Sequence, residues 1–182
     1  MDRKESAANN LMDEAKIQLA LYRELLSRGH EIITPNVSWS WLNWEADIIS
    51  FTRAHYMYEF EIKISKADFL NDFTKRKHGR MKIASTIPMH HNFRMPNYFS
   101  YVAPESAMPL CIPDHAGLIE VYVSERYKKI SLIEIKKPPL LHKNKPDTKA
   151  IFSILRTMMF KYWNLAENLN VIKIQKELFK ER

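Results

Sequence analysis

The chain has 182 residues, 46% hydrophobic and 12% aromatic, with 28 Lys and Arg against 21 Asp and Glu for a net charge of +7. That length carries one domain with a real core and is short for two. The single cysteine, Cys111, excludes an intrachain disulfide and a four-cysteine zinc site.

Three glycines, Gly29, Gly79 and Gly117, are too few and too scattered for a Walker or Rossmann phosphate loop. Neither His-Glu-x-x-His nor Gly-x-Ser-x-Gly occurs. No stretch reaches the roughly 20 apolar residues of a membrane span. Residues 1–16 lack the apolar run of a signal peptide. The expectation is a soluble, intracellular protein with no membrane partner. The basic excess points to a polyanion, nucleic acid before an anionic membrane surface.

Residues 1–9 read as a loose polar leader. From Asn10 onward, Leu11, Ala15, Gln18, Leu21, Tyr22, Leu25 and Leu26 recur at helical spacing, with Asn9 or Asn10 as cap and Gly29 just past the end. Glu31–Trp41 alternates through Val37, Trp39 and Trp41 like a strand, and Pro35 assigns it to an edge. Ala46–Thr52 and Tyr56–Ile64 are separated by Arg53-Ala54-His55, which is hairpin spacing. Ser65-Lys66-Ala67-Asp68 is a capping box. It opens a helix with Ala67, Phe69, Leu70 and Phe73 on its apolar side, running into a basic segment over Lys75–Lys82.

Residues 84–97 read as a loop, Asn97–Ala103 as a strand and Pro104–Pro113 as a proline-rich excursion. Leu118–Ser124 and Lys129–Lys136 are two further strands, the second stopped by Pro138-Pro139. After Asp147 a long helical pattern runs through Ile151, Leu155, Met158, Met159, Tyr162, Leu165 and Leu169. It reads as a packing or dimer helix, with a homodimer through it as one expectation. The order α-β-β-β-α-β-β-β-α is an α/β architecture with a mixed sheet flanked by helices. The whole chain reads as a single domain: a core over 10–143 and a helical extension over 147–182.

The hairpin carries the chemistry. With Ala54 at the centre of its turn, Asp47 lies opposite Glu61, and Lys63 shares their face because side chains two apart on a strand point the same way. Two unpaired carboxylates packed together repel. A divalent cation removes that cost, since Mg²⁺ takes one or two carboxylates plus waters and phosphate oxygens. Lys63 can hold the attacking water and offset charge on a phosphate.

The ordered pattern Glu45-Ala-Asp47, Glu61-Ile-Lys63 and Ala67-Asp68-Phe69, then Tyr98-Phe99-Ser-Tyr101-Val-Ala-Pro104, Gly117-Leu-Ile and Leu140-Leu-His142-Lys143, resembles the PD-(D/E)XK nuclease superfamily. It looks most like the MmcB-like DNA-repair branch and related phage-type proteins. The resemblance covers residues 11–143 and implies a restriction-endonuclease-like core of order α-β-β-β-α-β. It implies a DNA nuclease dependent on Mg²⁺ or Mn²⁺, working in the cytoplasm of a bacterial or phage-infected cell. Asp47, Glu61 and the Ile62 carbonyl would bind the metal, and Lys63 would position the water. A first-helix glutamate often joins them: Glu14 is the candidate and Glu24 the alternative. Ala46 stands where the family has proline. Some members of the superfamily have lost catalysis, so a non-catalytic, structure-selective DNA-binding or repair-accessory protein is the alternative function. A weaker third reading is an adaptor that uses its basic face to block nucleic-acid machinery.

Residues 63–82 hold seven basic residues against Asp68 and Asp72, and residues 126–149 hold eight against Glu134 and Asp147. The first run follows the site directly, so its residues Lys66, Lys75, Arg76, Lys77, Arg80 and Lys82 are the expected phosphate contacts, with Arg76, Lys77 and Arg80 foremost. Trp44 is the candidate for stacking on an unpaired base. A second acid-x-lysine, Glu134-Ile-Lys136, competes for the site but leads into prolines instead of a helix. Cys111, His115, His90 and His91 are poorly spaced for zinc.

Overall fold

The computed structural model describes residues 12–38, 44–86, 95–127 and 129–180. The chain divides into two compact units, Met1–Pro146 and Asp147–Arg182. In the first, helix α1 spans Glu14–Ser27, with Asp13 as its N-cap accepting from the Lys16 N–H at 2.8 Å. The helix therefore starts later than its apolar spacing suggests, because Asp13 supplies the cap. Asn9 and Asn10 lie outside the described residues. Gly29 follows at φ +81°, the left-handed position that ends a helix.

Six strands follow: β1 (His30–Ser38), β2 (Glu45–Thr52), β3 (Met57–Ile62), β4 (Tyr98–Pro104), β5 (Gly117–Ser124) and β6 (Lys129–Lys136). They form one sheet in their order along the chain. The pairs β1–β2, β2–β3 and β5–β6 are antiparallel, while β3–β4 and β4–β5 are parallel. The fold is thus α/β, a mixed six-stranded sheet flanked by helices. Pro35 lies in edge strand β1, where a missing N–H is tolerated. Trp39 and Trp41 lie outside the described residues.

The basic segment after β3 forms two helices, where the spacing suggested one. Helix α2 (Lys66–Asp72) opens on Ser65, whose hydroxyl accepts from the Asp68 N–H at 3.2 Å. Over Phe73–Lys75 the N–H groups turn to carbonyls three residues back, and α3 (Arg76–Thr86) follows. The expected loop from residue 84 is helical through Thr86; residues 87–94 lie outside the described residues.

The sheet has two faces. Ile17, Leu21 and Leu25 of α1 pack against Ile48, Phe60, Ile62, Val102, Ile119 and Val121. On the other face, Phe69, Met81 and Ala84 from α2 and α3 meet Phe99, Tyr101, Ala103 and Leu118. The tail after β6 is tied back by buried Asn97. Its side chain accepts from the Met57 N–H and donates to the His142 and Asn144 carbonyls, each at 2.9 Å. Gly117 is required where β5 begins: a Cβ there would stand 2.6 Å from Ser100 Oγ and 2.7 Å from Pro138 N. The second unit is helix α4 (Thr148–Lys180), capped by Asp147, which accepts from the Ala150 N–H at 2.8 Å. Among the described residues no helix is long and apolar enough to cross a membrane.

Candidate functional site

The β2–β3 ladder pairs Phe51 with Met57, Ser50 with Tyr58, Ile49 with Glu59 and Ile48 with Phe60, the register expected from the turn. The ladder ends at that pair, and Asp47 lies just beyond it. There the side chain replaces the ladder: Asp47 Oδ2 accepts the Ile62 N–H at 2.6 Å. Burial, followed by the neighbouring Glu61 charge, pushes the Asp47 carboxyl up to about 6, against the opposing pull of the Ile62 N–H and Lys63. The Glu14 charge raises it further. Glu24 is instead held by Arg28 at 2.8 Å.

Glu61 is buried and gripped by three ammonium groups. Lys63 Nζ lies 2.7 Å and Lys75 Nζ 3.3 Å from its Oε1, while Lys77 Nζ lies 2.7 Å from Oε2. Burial of Lys63 opposes its charge, but Glu61 and Asp72 outweigh it and raise its pKa above the ordinary lysine value. Lys63 therefore stays an ammonium. Asp68 stands 3.7 Å from it on the exposed side.

Behind this layer is a second buried carboxylate that spacing did not single out. Asp72 Oδ2 accepts from Tyr101 OH at 2.8 Å and lies 2.8 Å from His78 Nε2. Its Oδ1 receives no well-directed hydrogen bond and is held by the charges of Lys75 at 2.5 Å and Lys63 at 3.6 Å. Burial would raise Asp72, but the His78 bond and the charges of Lys77, Lys75 and Lys63 win and hold it well below the usual carboxylate range. The chain of contacts continues from His78 Nδ1 to His115 Nε2 at 3.0 Å. Burial and its cationic neighbours push His115 down to about 4. The three-residue step from Asp72 to Lys75 was a readable signal. The Asp72–His78 bond spans a helix break and had none.

Glu59, two residues before Glu61 on the same face, is also fully buried. Trp44 Nε1 donates to both its oxygens at 3.0 Å, and Lys77 lies 3.6 Å away. Burial pushes its carboxyl up to about 7. Two sequence expectations are corrected here. Lys77 is not a surface phosphate contact: it is buried against Glu61, with its ammonium 5.2 Å from the Phe99 ring centre. Trp44 is not an open stacking platform, because its N–H is committed to Glu59 and Arg80 covers its ring at 5.3 Å. Trp44, Glu45, Lys75, Arg76, Lys77 and Arg80 line a cavity of about 660 Å³ beside the acids. Lys66, Arg76 and Lys82 are exposed.

The competing pair does not converge. Glu134 meets Arg28 at 3.3 Å, whereas Lys136 donates to the Pro113 carbonyl at 3.2 Å. Cys111 is exposed and His115 is bound to His78; His90 and His91 lie outside the described residues.

Among the described residues, no group of three or more His, Cys, Asp or Glu forms a ready metal cluster. The donor set that the resemblance implies is the pair Asp47 and Glu61. Burial raises the Asp47 carboxyl first and the Glu61 charge second, and a divalent cation held by the two acids would relieve that second part. The pair fits such an ion on one condition. Both Glu61 oxygens already face ammonium groups, so one lysine must leave.

No family model and no curated protein matches the chain. Among solved structures, the SPO1766 protein of unknown function from Silicibacter pomeroyi is similar, with a TM-score of 0.58 at 12% identity over 88% of this chain and 92% of that one. At that identity the likeness is one of fold.

Proposed function

We propose that this chain is a metal-dependent deoxyribonuclease of the PD-(D/E)XK type, built on a restriction-endonuclease-like core. What supports the reading is Asp47 just past the end of the β2–β3 ladder, where it accepts the Ile62 N–H at 2.6 Å and feels the Glu61 charge, with the Lys63 ammonium 2.7 Å from Glu61. Asp47, Glu61, the Ile62 carbonyl and Glu14 would hold Mg²⁺ or Mn²⁺, which supplies Lewis-acid polarisation of the phosphate and of a water. Lys63, kept protonated by its acidic neighbours, orients that water and offsets charge growing on the phosphate. It does not take up a proton. Exposed Lys66, Arg76 and Lys82, with Arg80, position the DNA backbone without reading sequence.

The test is cleavage of supercoiled plasmid and of labelled single-stranded, duplex, flap and junction DNA with Mg²⁺ or Mn²⁺. Glu61→Ala and Lys63→Ala should each lower cleavage about 10²-fold or more while DNA affinity holds. Cleavage that survives both substitutions, or survives EDTA, ends this reading.

One observation favours a second reading, a non-catalytic DNA-binding or repair-accessory protein on the same fold. Three ammonium groups already satisfy Glu61 without any cation. That reading expects no cleavage of any substrate, with salt-dependent DNA binding that weakens in Arg76→Ala/Arg80→Ala.

A further inference from the structure

The sheet ends on two edges of different character. At one, β1 is interrupted: Pro35 has no N–H, and Asn36 takes a left-handed φ of +50° while its side chain accepts from Gln18 at 2.8 Å. At the other, β6 runs through Lys129–Lys136 without a proline or a positive φ. Among the described residues its backbone makes no hydrogen bond beyond the ladder with β5, so one row of N–H and C=O groups is open. Apolar side chains flank that row on both faces. On one, Ile133 and Ile135 are 49% and 53% exposed. On the other, Ile130 and Leu132 border a groove of about 620 Å³ that Leu19 and Arg23 of α1 also line.

The second basic run, which the phosphate track above leaves unused, brackets the strand. Arg126 and Lys129 stand at one end and Lys137 just past the other, all three exposed. An open edge between apolar side chains is a template for one more strand, and the cations decide whose. Antiparallel pairing with a second copy would set the lysine-bearing ends of β6 against each other, on chains that each carry +7. An extended segment with acidic ends meets opposite charge at both.

We propose that the β6 edge docks an extended, acidic segment of a partner protein, which adds to the sheet as a further strand. Alternate side chains of that segment enter the α1 groove, and its acids meet Arg23, Lys129 and Lys137. Strands β4 and β5 separate this edge from the acids of β3, so the docking does not depend on the nuclease reading.

The experiment is fluorescence anisotropy of the full chain with the labelled peptide Glu-Asp-Val-Thr-Val-Thr-Val-Asp-Glu and a counterpart with every acid replaced by lysine. The acidic peptide should bind about tenfold more tightly or better, and Lys129→Glu/Lys137→Glu, both at exposed positions, should reverse the preference. Two further acidic peptides carry N-methyl groups on alternate residues, in opposite phases. Alternate N–H groups of an added strand face its neighbour, so one phase should abolish binding and the other should leave it largely intact. Equal effects of the two phases, no preference for the acidic peptide, or no binding at millimolar peptide overturns the proposal. A concentration-dependent dimer broken by Ile133→Lys, in place of peptide binding, assigns the edge to a second copy and overturns it too. So does duplex DNA that binds the wild type and not Lys129→Glu/Lys137→Glu while the peptide binds neither.

Discussion

Strand β3 presents two interiors within a few residues. Phe60 and Ile62 face α1 and join an apolar cluster with Leu21, Leu25 and Ile119. Glu59 and Glu61, alternating with them, face α2 and α3 and are just as buried, as is Lys63 immediately after. On the apolar side any side chain of about the right volume would serve, because dispersion and the hydrophobic effect are not directional. On the charged side identity is everything. Each carboxylate is matched to named donors: Trp44 on Glu59, three lysines on Glu61, and His78 and Tyr101 on Asp72. Burying such pairs is no better for stability than apolar packing and is often worse. Stability alone therefore does not account for the charged interior.

That contrast can be broken at several points. Phe60→Ala and Asp72→Asn should both be severe, each costing about 3–5 kcal/mol in urea unfolding, the first through a cavity and the second through uncompensated buried cations. They should part company with pH. The Asp72 carboxyl is held below its ordinary value, so its contribution is present above about pH 4 and fades as pH falls below that, while the Phe60 cost stays constant. Equal pH profiles for the two variants would erase the distinction between the faces.

A smaller effect is expected at His115. Its pKa is lowered from 6.5 to about 4, so its neutral ring adds stability above pH 6.5 that is lost as pH falls toward 4. His115→Gln should flatten that slope, worth about 1–2 kcal/mol once partial solvent screening is allowed for. Melting temperatures at pH 7.5 and 5 read the difference, and a slope that persists in the variant must come from another group. Smallest of all, Arg76→Ala and Lys82→Ala should each reduce the salt dependence of DNA binding by about one unit of log–log slope, measured by fluorescence anisotropy. An unchanged slope would remove those residues from the phosphate track.

Much of this layout was legible because it is local. The hairpin spacing around Ala54 fixed which residues face each other, and period-two alternation separated Glu59 and Glu61 from Phe60 and Ile62. The Ser65 capping box marked the start of α2. The rest depends on contacts across long sequence separations. Lys77 sits in a basic run that resembles a solvated face, and only the break at Phe73–Lys75 turns it inward onto Glu61. Trp44 reads as a surface aromatic until the fold brings Glu59 beneath its N–H. Asp72 reads as a helix-end acid, and Tyr101 as one aromatic among several on β4; neither carries a spacing that announces the other. Composition gave the sign of the charge, not which charges would be withdrawn from water.

The sheet order, with every strand beside its predecessor in the chain, has a consequence during synthesis. As a nascent chain leaves the ribosome, α1 and the meander β1–β3 emerge together and can pair at once. Glu59, Glu61 and Lys63 are then already on display, but Asp72, Lys77 and Tyr101 have yet to emerge. Until they arrive, the acids remain hydrated and the half-built sheet keeps a wet face. Sealing that face requires β4 to add in parallel to β3 after the two helices between them have formed. The oldest residues of the site are thus the last to dry.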